Sequence, residues 1–144
     1  MKLLLILLSA FFVSFSYAQQ NDSIVSFPDV EAEFEGGAEG MKAYLIENTE
    51  YPELARKKGE EGKVYVKFII ELDGSITGIK VLKSSGSKLL DEEAVRVIEN
   101  MPNWIPAEKD GKKVRSVCRV PINFTLSNSK KDKKKKKRRQ RRMK

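Results

Sequence analysis

The stretch that decides the fold is residues 63–72, K-V-Y-V-K-F-I-I-E-L, followed at once by Asp73-Gly74. Apolar side chains occupy every even position of this stretch, and most odd positions are polar. A period of two predicts a β-strand with one buried face. Asp-Gly is typical of a two-residue type I′ hairpin. We therefore predict a returning strand over residues 75–83, in register with Ile70 opposite Thr77 and Val66 opposite Val81.

Helical patterns flank this hairpin on both sides. Helices are predicted over residues 38–48 and 52–58, the second closed by Gly59. A third, with Asp91 as its N-cap, carries an apolar stripe and ends at Pro102. A last strand is predicted over residues 114–126, with inward side chains at Cys118, Val120, Ile122, Phe124 and Leu126. These elements predict an α+β fold: a three-stranded antiparallel sheet, strand order 2-1-3, with helices packed on one face.

The last predicted strand is placed at the border of the sheet. Proline cannot donate a hydrogen bond into a central ladder, so Pro121 favours an edge position. By parity its outward positions are Val117, Arg119, Pro121, Asn123 and Thr125. All but the proline carry a backbone N–H. We take Val117, Arg119, Asn123 and Thr125 as the candidate partner-binding edge; an edge with no such role is the alternative.

The two ends of the chain differ from this domain. Residues 1–18 have one early Lys, an apolar run and a small-residue end, which is the layout of a cleaved signal peptide. An uncleaved inner-membrane anchor facing the periplasm is the alternative. Residues 19–33 are predicted to be a polar lead-in, residues 34–126 the folded domain, and residues 127–144 a disordered basic tail.

The tail accounts for the basic charge of the chain. The net charge of +8 divides into +11 for residues 130–144 and −3 for the rest. Like charges in such runs bind by non-specific electrostatics. For an exported protein this favours anionic lipid or cell-wall polymer, and no nucleic acid is expected. The electrostatic candidates are Lys133, Lys134, Lys135, Lys136, Lys137, Arg138, Arg139, Arg141 and Arg142.

The composition argues against an enzyme. The chain has one cysteine and no histidine, so the commonest general base and metal ligand is absent. Cys118 would lack a His partner and is interpreted as a small buried side chain. Asp91, Glu92 and Glu93 are consecutive and do not share one helix face, which favours a helix start over a metal or acid pair. No cofactor and no metal are expected.

Seven short motifs, in order from about residue 27 to residue 126, resemble the TonB C-terminal domain family. The motifs are Phe34-x-Gly36-Gly37, Tyr44-Leu45 with Asn48, Tyr51-Pro52-x-x-Ala55, the alternating strand from Gly62, Asp73-Gly74-x-Ile76 with Asp91-x-x-Ala94, Met101-Pro102-x-Trp104-x-Pro106 and Pro121-Ile122-x-Phe124-x-Leu126. The resemblance implies a periplasmic domain in TonB-dependent transmembrane transport. It also implies that the last strand binds an extended segment, the TonB box, of an outer-membrane transporter.

The resemblance also implies further partners. Members of the family draw force from an inner-membrane motor complex, through a membrane helix and a long Pro-rich spacer. The first 33 residues of this chain show neither pattern. We therefore expect peptide binding and leave energy transduction open, together with strand exchange between two copies. The alternative function is an envelope surface-binding protein that uses its basic tail.

Overall fold

The computed structural model describes residues 23–126 and, beyond them, residue 141. The predicted signal peptide and nearly all of the predicted tail lie outside the described residues. Three helices and five strands are described in this part of the chain. In chain order they are β1 (Ile24–Val25), α1 (Gly37–Asn48), α2 (Glu53–Lys58), β2 (Gly62–Ile70), β3 (Ile76–Lys83), α3 (Lys88–Glu99), β4 (Ala107–Lys109) and β5 (Lys112–Phe124).

The sheet is built on β2, which lies between β5 and β3 and is antiparallel to both. The α+β class and the relative order of the three long strands are confirmed. The predicted count of three strands was wrong, because β1 and β4 also pair with β5. The sheet is also not wholly antiparallel, since β1 runs parallel to β5. Strands of two and three residues are too short to show a period in the sequence, so pattern analysis missed them.

The core lies between the sheet and the helices. Phe68 and Ile70 of β2 are fully buried, as are Leu90 and Ile98 of α3. Trp104 links the layers, since its ring packs edge-on against Phe68 with centroids 5.6 Å apart. The alternation predicted for β2 and β5 is confirmed, with Val120, Ile122 and Phe124 buried. One sheet face is therefore covered by helices, and no described helix covers the other, which we call the open face.

The β2–β3 turn differs from the predicted two-residue hairpin. The Gly74 N–H donates to the Glu71 carbonyl at 3.0 Å, and the Glu71 N–H donates to the Ser75 carbonyl at 2.9 Å. Three residues therefore connect the pair, and Gly74 alone takes the positive φ of +84°. The predicted pair Val66–Val81 is confirmed, but Thr77 faces Ile69 and not Ile70. The prediction failed because Asp-Gly also suits a type I turn followed by a left-handed glycine.

The start of α3 also corrects the sequence analysis. Its N-cap is Ser87, whose hydroxyl accepts from the Leu90 N–H, so Asp91 is not the N-cap. Asp91 lies in the first helical turn and accepts hydrogen bonds from the Ser85 N–H at 2.9 Å and hydroxyl at 2.8 Å. It therefore ties the loop after β3 to the helix. Ser and Asp are both favoured N-cap residues, and the backbone path places Ser87 at this position.

A nearly buried carboxylate joins α3 to the loop between α1 and α2. Glu93 is 9% exposed and accepts from the Glu50 N–H at 2.6 Å. Arg96 donates to Glu93 from Nε and from a terminal nitrogen, each at 2.7 Å. It also donates to the Asn48 carbonyl at 2.8 Å. One arginine therefore neutralises the carboxylate and satisfies the end of α1.

Replacing Arg96 by Ala is expected to lower the free energy of unfolding by about 2 kcal/mol, because Glu93 would keep its charge with one donor. The figure allows for the half-exposed arginine side chain. Urea unfolding at neutral pH measures it. Lys88→Ala is the matched control, because its pair with Glu92 at 3.6 Å is exposed. Equal losses in the two variants would contradict a special role for the Glu93 cluster.

Within residues 23–126 and at residue 141, no helix combines the length and the apolar content that crossing a membrane requires.

Candidate functional site

The outer side of β5, facing away from β2, is the candidate site. Residues 116–124 of β5 pair with β2 without a break in register, from Gly62–Phe124 to Ile70–Ser116. On the other side β1 runs parallel to β5 at Arg115 and Ser116. In a parallel ladder of this register the Val25 carbonyl accepts from the Val117 N–H, so β1 occupies that donor. Among the described residues no strand pairs with the outer side of residues 118–124. We call residues 117–123, seen from this side, the open edge.

Pro121 shows which backbone groups point outward along the open edge. In an antiparallel ladder, alternate residues direct both N–H and C=O to the same neighbour. Pro121 faces Tyr65 within an unbroken ladder, so its missing N–H belongs to the outer side. By the same parity Val117, Arg119 and Asn123 turn their N–H and C=O groups outward. Because β1 occupies the Val117 N–H, the open edge offers two donors, at Arg119 and Asn123, and four acceptors at alternate positions.

The structure brings three of the four predicted edge residues together. Val117 is half-buried, and Arg119 and Asn123 are exposed, all on the open face of the sheet. Thr125 lies after the end of β5 at Phe124. The tail candidates lie outside the described residues, apart from Arg141. Three of the four predicted positions therefore lie on β5, and Pro121 lies between Arg119 and Asn123.

An N-terminal strap, residues 23–33, follows the border of the sheet and was not predicted. Val30 exchanges backbone hydrogen bonds with Glu108 at 3.0 and 2.9 Å, and Glu33 exchanges them with Ile105 at 2.9 and 2.8 Å. The Asp110 N–H donates to the Asp29 carboxylate at 2.8 Å. With β1 at its start, the strap limits the site to the part of β5 after Ser116. Its short apolar positions form no sustained period that could have revealed this pairing.

A charged pair closes the end of the site nearest the strap. Arg115 Nε donates to Glu71 Oε2 at 2.6 Å, and a terminal nitrogen donates to Oε1 at 3.0 Å. Both side chains are about one-fifth exposed. The arginine hydrogen bonds, with one from the Thr77 hydroxyl, lower the pKa of Glu71 below its ordinary value. The pair therefore fixes Arg115 of β5 against Glu71, the residue that follows β2.

We expect this pair to make stability depend on acid pH. A carboxyl group with a lowered pKa stabilises the fold above its unfolded value near 4.5, and this contribution is lost as pH falls through the folded value. Arg115→Gln should raise the pKa of Glu71 and shrink that loss. Carbon-detected NMR titration of the carboxyl group measures the pKa directly. An unchanged Glu71 titration in the variant would contradict the assignment.

Nothing in the described part of the chain suggests covalent or metal chemistry. Cys118 is half-buried opposite Phe68, and burial raises the pKa of its thiol to about 11. The thiol is therefore protonated at neutral pH and a poor nucleophile. Residues 23–126 and 141 contain no group of three His, Cys, Asp or Glu side chains that could hold a metal ion. The open edge is instead suited to hydrogen bonding with an extended backbone.

An α+β domain with a regular strand paired on one side belongs to the class of folds that can accept a guest strand. Residues 47–126 match the family described as the Gram-negative bacterial TonB protein C-terminal. This match covers more than half of the chain, and the chain therefore belongs to the TonB C-terminal domain family. The resemblance drawn from seven short motifs is confirmed.

Three relatives show the extent of the similarity. Protein tonB2 of Pseudomonas aeruginosa is 37% identical over 78 residues, which is 54% of this chain and 28% of that protein. Protein TonB of Helicobacter pylori is 34% identical over 86 residues, covering 60% of this chain and 29% of its own length. Protein TonB of Haemophilus influenzae is 31% identical over 111 residues, covering 77% and 40%. This chain thus spans 28–40% of the length of these three relatives.

A solved structure gives a similar coverage. The NMR solution structure of the Helicobacter pylori TonB C-terminal domain is 31% identical to this chain. It covers 60% of this chain and 77% of its own length, with a TM-score of 0.46.

Proposed function

We propose that this protein binds an extended segment of an outer-membrane transporter, the TonB box, as an added strand on the open edge of β5. The protein would then act in the periplasm as a binding module of TonB-dependent transport, not as an enzyme. The observation that carries the proposal is the unbroken pairing of residues 116–124 with β2, without a described neighbour beyond 117. Family membership supports the choice of partner.

The open edge can supply both affinity and direction. A guest strand would exchange backbone hydrogen bonds with Arg119 and Asn123, while Val117 and Pro121 could only accept. In strand addition the backbone provides affinity, and pockets for alternate side chains provide choice. The fixed gap at Pro121 sets a position where a guest residue has no donor opposite its carbonyl. A guest with a proline or a bend opposite Arg119 or Asn123 would lose the backbone hydrogen bonds that those residues offer.

The opposite border of the sheet, β3, is a poorer template for a guest strand. Its pairing with β2 shifts register twice, between Tyr65 and Val66 and between Lys67 and Ile69. Gly78 within it has a φ of +59°. Bulges twist an edge and interrupt the alternation of donors and acceptors, which blunts it against pairing. By contrast, β5 is regular over its whole contact with β2.

An isotope-labelled titration tests the proposal. The probes are synthetic peptides that copy the N-terminal segments of outer-membrane transporters from the same bacterium. Amide shifts should concentrate on residues 117–123 and leave β3 unchanged. The matched control is the same peptide N-methylated at alternate residues, which keeps the side chains but removes half of the donors. Shifts centred on β3, or equal binding of the methylated peptide, would overturn the proposal.

A further inference from the structure

The open face of the sheet concentrates positive charge, although the domain is acidic. Residues 23–126 contain 15 Lys and Arg against 18 Asp and Glu. The three long strands β2, β3 and β5 nevertheless contain eight Lys or Arg and no acidic residue. The acidic side chains lie on the helices, the loops and β4. The long strands of the sheet are therefore the most strongly basic part of the described domain.

Five of these cations define what we call the basic face. They are Lys63 and Lys67 of β2, Lys80 and Lys83 of β3, and Arg119 of β5. Each is placed on the open face by parity or by its partner: Lys67 faces Lys80 on one side and Arg119 on the other. Among the described residues none of the five forms a salt bridge. Lys83 lies 5.9 Å from the centre of the Tyr65 ring.

The row Lys80–Lys67–Arg119 works against folding. Directly opposite side chains on neighbouring strands have Cβ atoms about 5 Å apart, and like charges at that distance are destabilising. A sequence selected for stability alone would place an acid or a neutral residue at one of these three positions. An unneutralised row across three strands is instead what an anionic partner would use.

We propose that the basic face is a docking surface for an anionic phospholipid bilayer, whose headgroup phosphates contact these five side chains. The cations are spread in two dimensions over three strands, as phosphates are over a bilayer, and not along one line as an extended acidic peptide would require. Tyr65 and Leu82, 37% and 51% exposed, suit the boundary between headgroups and acyl chains. The sequence of residues 130–144 adds a charge of +11. This surface shares Arg119 with the open edge but uses its side chain and not its backbone, and the inference does not depend on strand addition.

The helices, which together carry six Lys or Arg and seven Asp or Glu, do not cancel this attraction at physiological salt. Charges are screened over about 8 Å at that ionic strength, whereas a helix layer is about 10 Å thick. A bilayer against the open face is therefore influenced mainly by the basic face. Each Lys or Arg near an anionic membrane strengthens binding about fivefold.

The test uses the full chain and co-sedimentation with vesicles of an equimolar mixture of phosphatidylcholine and phosphatidylglycerol. The variant K67Q/K80Q should bind about ten- to thirtyfold more weakly than the wild type, since two cations of the row are lost. The matched control K42Q/K57Q removes the same charge from exposed positions on α1 and α2 and should bind within about threefold of the wild type. Circular dichroism checks that both variants fold.

Three results would overturn the inference. K67Q/K80Q could bind the mixed vesicles as tightly as the wild type, or the helix control could lose as much as the sheet variant. The wild type could also bind soluble polyglutamate but not the vesicles, which would identify an acidic protein as the partner. Vesicles of phosphatidylcholine alone, and added salt, should both abolish binding of the wild type.

Discussion

Replacing Arg119 and Asn123 together by proline is expected to weaken binding of the transporter peptide at least about tenfold. The two substitutions remove both outward N–H donors that β1 leaves available on the open edge, each worth about 1 kcal/mol in net hydrogen bonding. The added rings also crowd an incoming strand. The ladder to β2 should survive, because Pro121 already occupies a position of the same parity within it. Calorimetric titration measures the affinity, and thermal unfolding reports the integrity of the domain.

The matched control for this variant is R119A/N123A. It removes the same two side chains but keeps both backbone donors, so strand addition predicts affinity within about threefold of the wild type. If the alanine variant loses as much affinity as the proline variant, side chains and not the backbone carry recognition. If the proline variant binds normally while folded, the guest lies elsewhere on the domain.

Replacing Gly74 by Ala is expected to lower the free energy of unfolding by about 3 kcal/mol. Its φ of +84° is strained for any side chain, and a Cβ there would lie 2.0 Å from the Trp104 carbonyl oxygen. The Trp104 N–H donates to the Gly74 carbonyl at 2.8 Å. The hairpin therefore anchors the segment that inserts Trp104 against Phe68, and moving one displaces the other. Urea unfolding followed by tryptophan fluorescence measures the loss.

Gly111→Ala separates backbone strain from the contact with Trp104. Gly111 has a φ of +71°, and a Cβ there would meet nothing within 4 Å. The control should therefore lose only about 1 kcal/mol, from the left-handed backbone alone. Equal losses at the two glycines would show that the hairpin–tryptophan contact contributes little to stability.

The long elements could be predicted from the sequence because their patterns are local. Alternation over residues 63–72 and 114–126 predicted β2 and β5 with the correct inward faces, although β5 ends at Phe124 and does not reach Leu126. Pro121 favoured an edge position for the last strand, and β1 lies beyond β5 only at Arg115 and Ser116. Helical spacing gave α1 and α2 to within one residue. Strand order followed from the direction of each element and the position of Pro121. Each of these predictions depended on a period or a residue with one strong conformational preference.

The remaining features depend on tertiary contacts without a local pattern. The strap pairs through backbone atoms of Val30 and Glu33, which any sequence could supply. At the β2–β3 turn, both a two-residue and a three-residue connection suited the sequence. At the start of α3, both Asp91 and Ser87 are residue types that favour the N-cap. The basic face appeared only when strand register placed Lys80, Lys67 and Arg119 in one row. In the sequence Lys80 comes 13 positions after Lys67, and Arg119 comes 52 positions after it.

Amide hydrogen exchange along β5, with and without the transporter peptide, tests the central claim most directly. The amides of Cys118, Val120 and Ile122 face β2 and should exchange slowly in both states. Those of Arg119 and Asn123 should exchange quickly in the free protein and become protected when the peptide binds. Saturation with the peptide while these two amides continue to exchange at their free rates would contradict strand addition on β5.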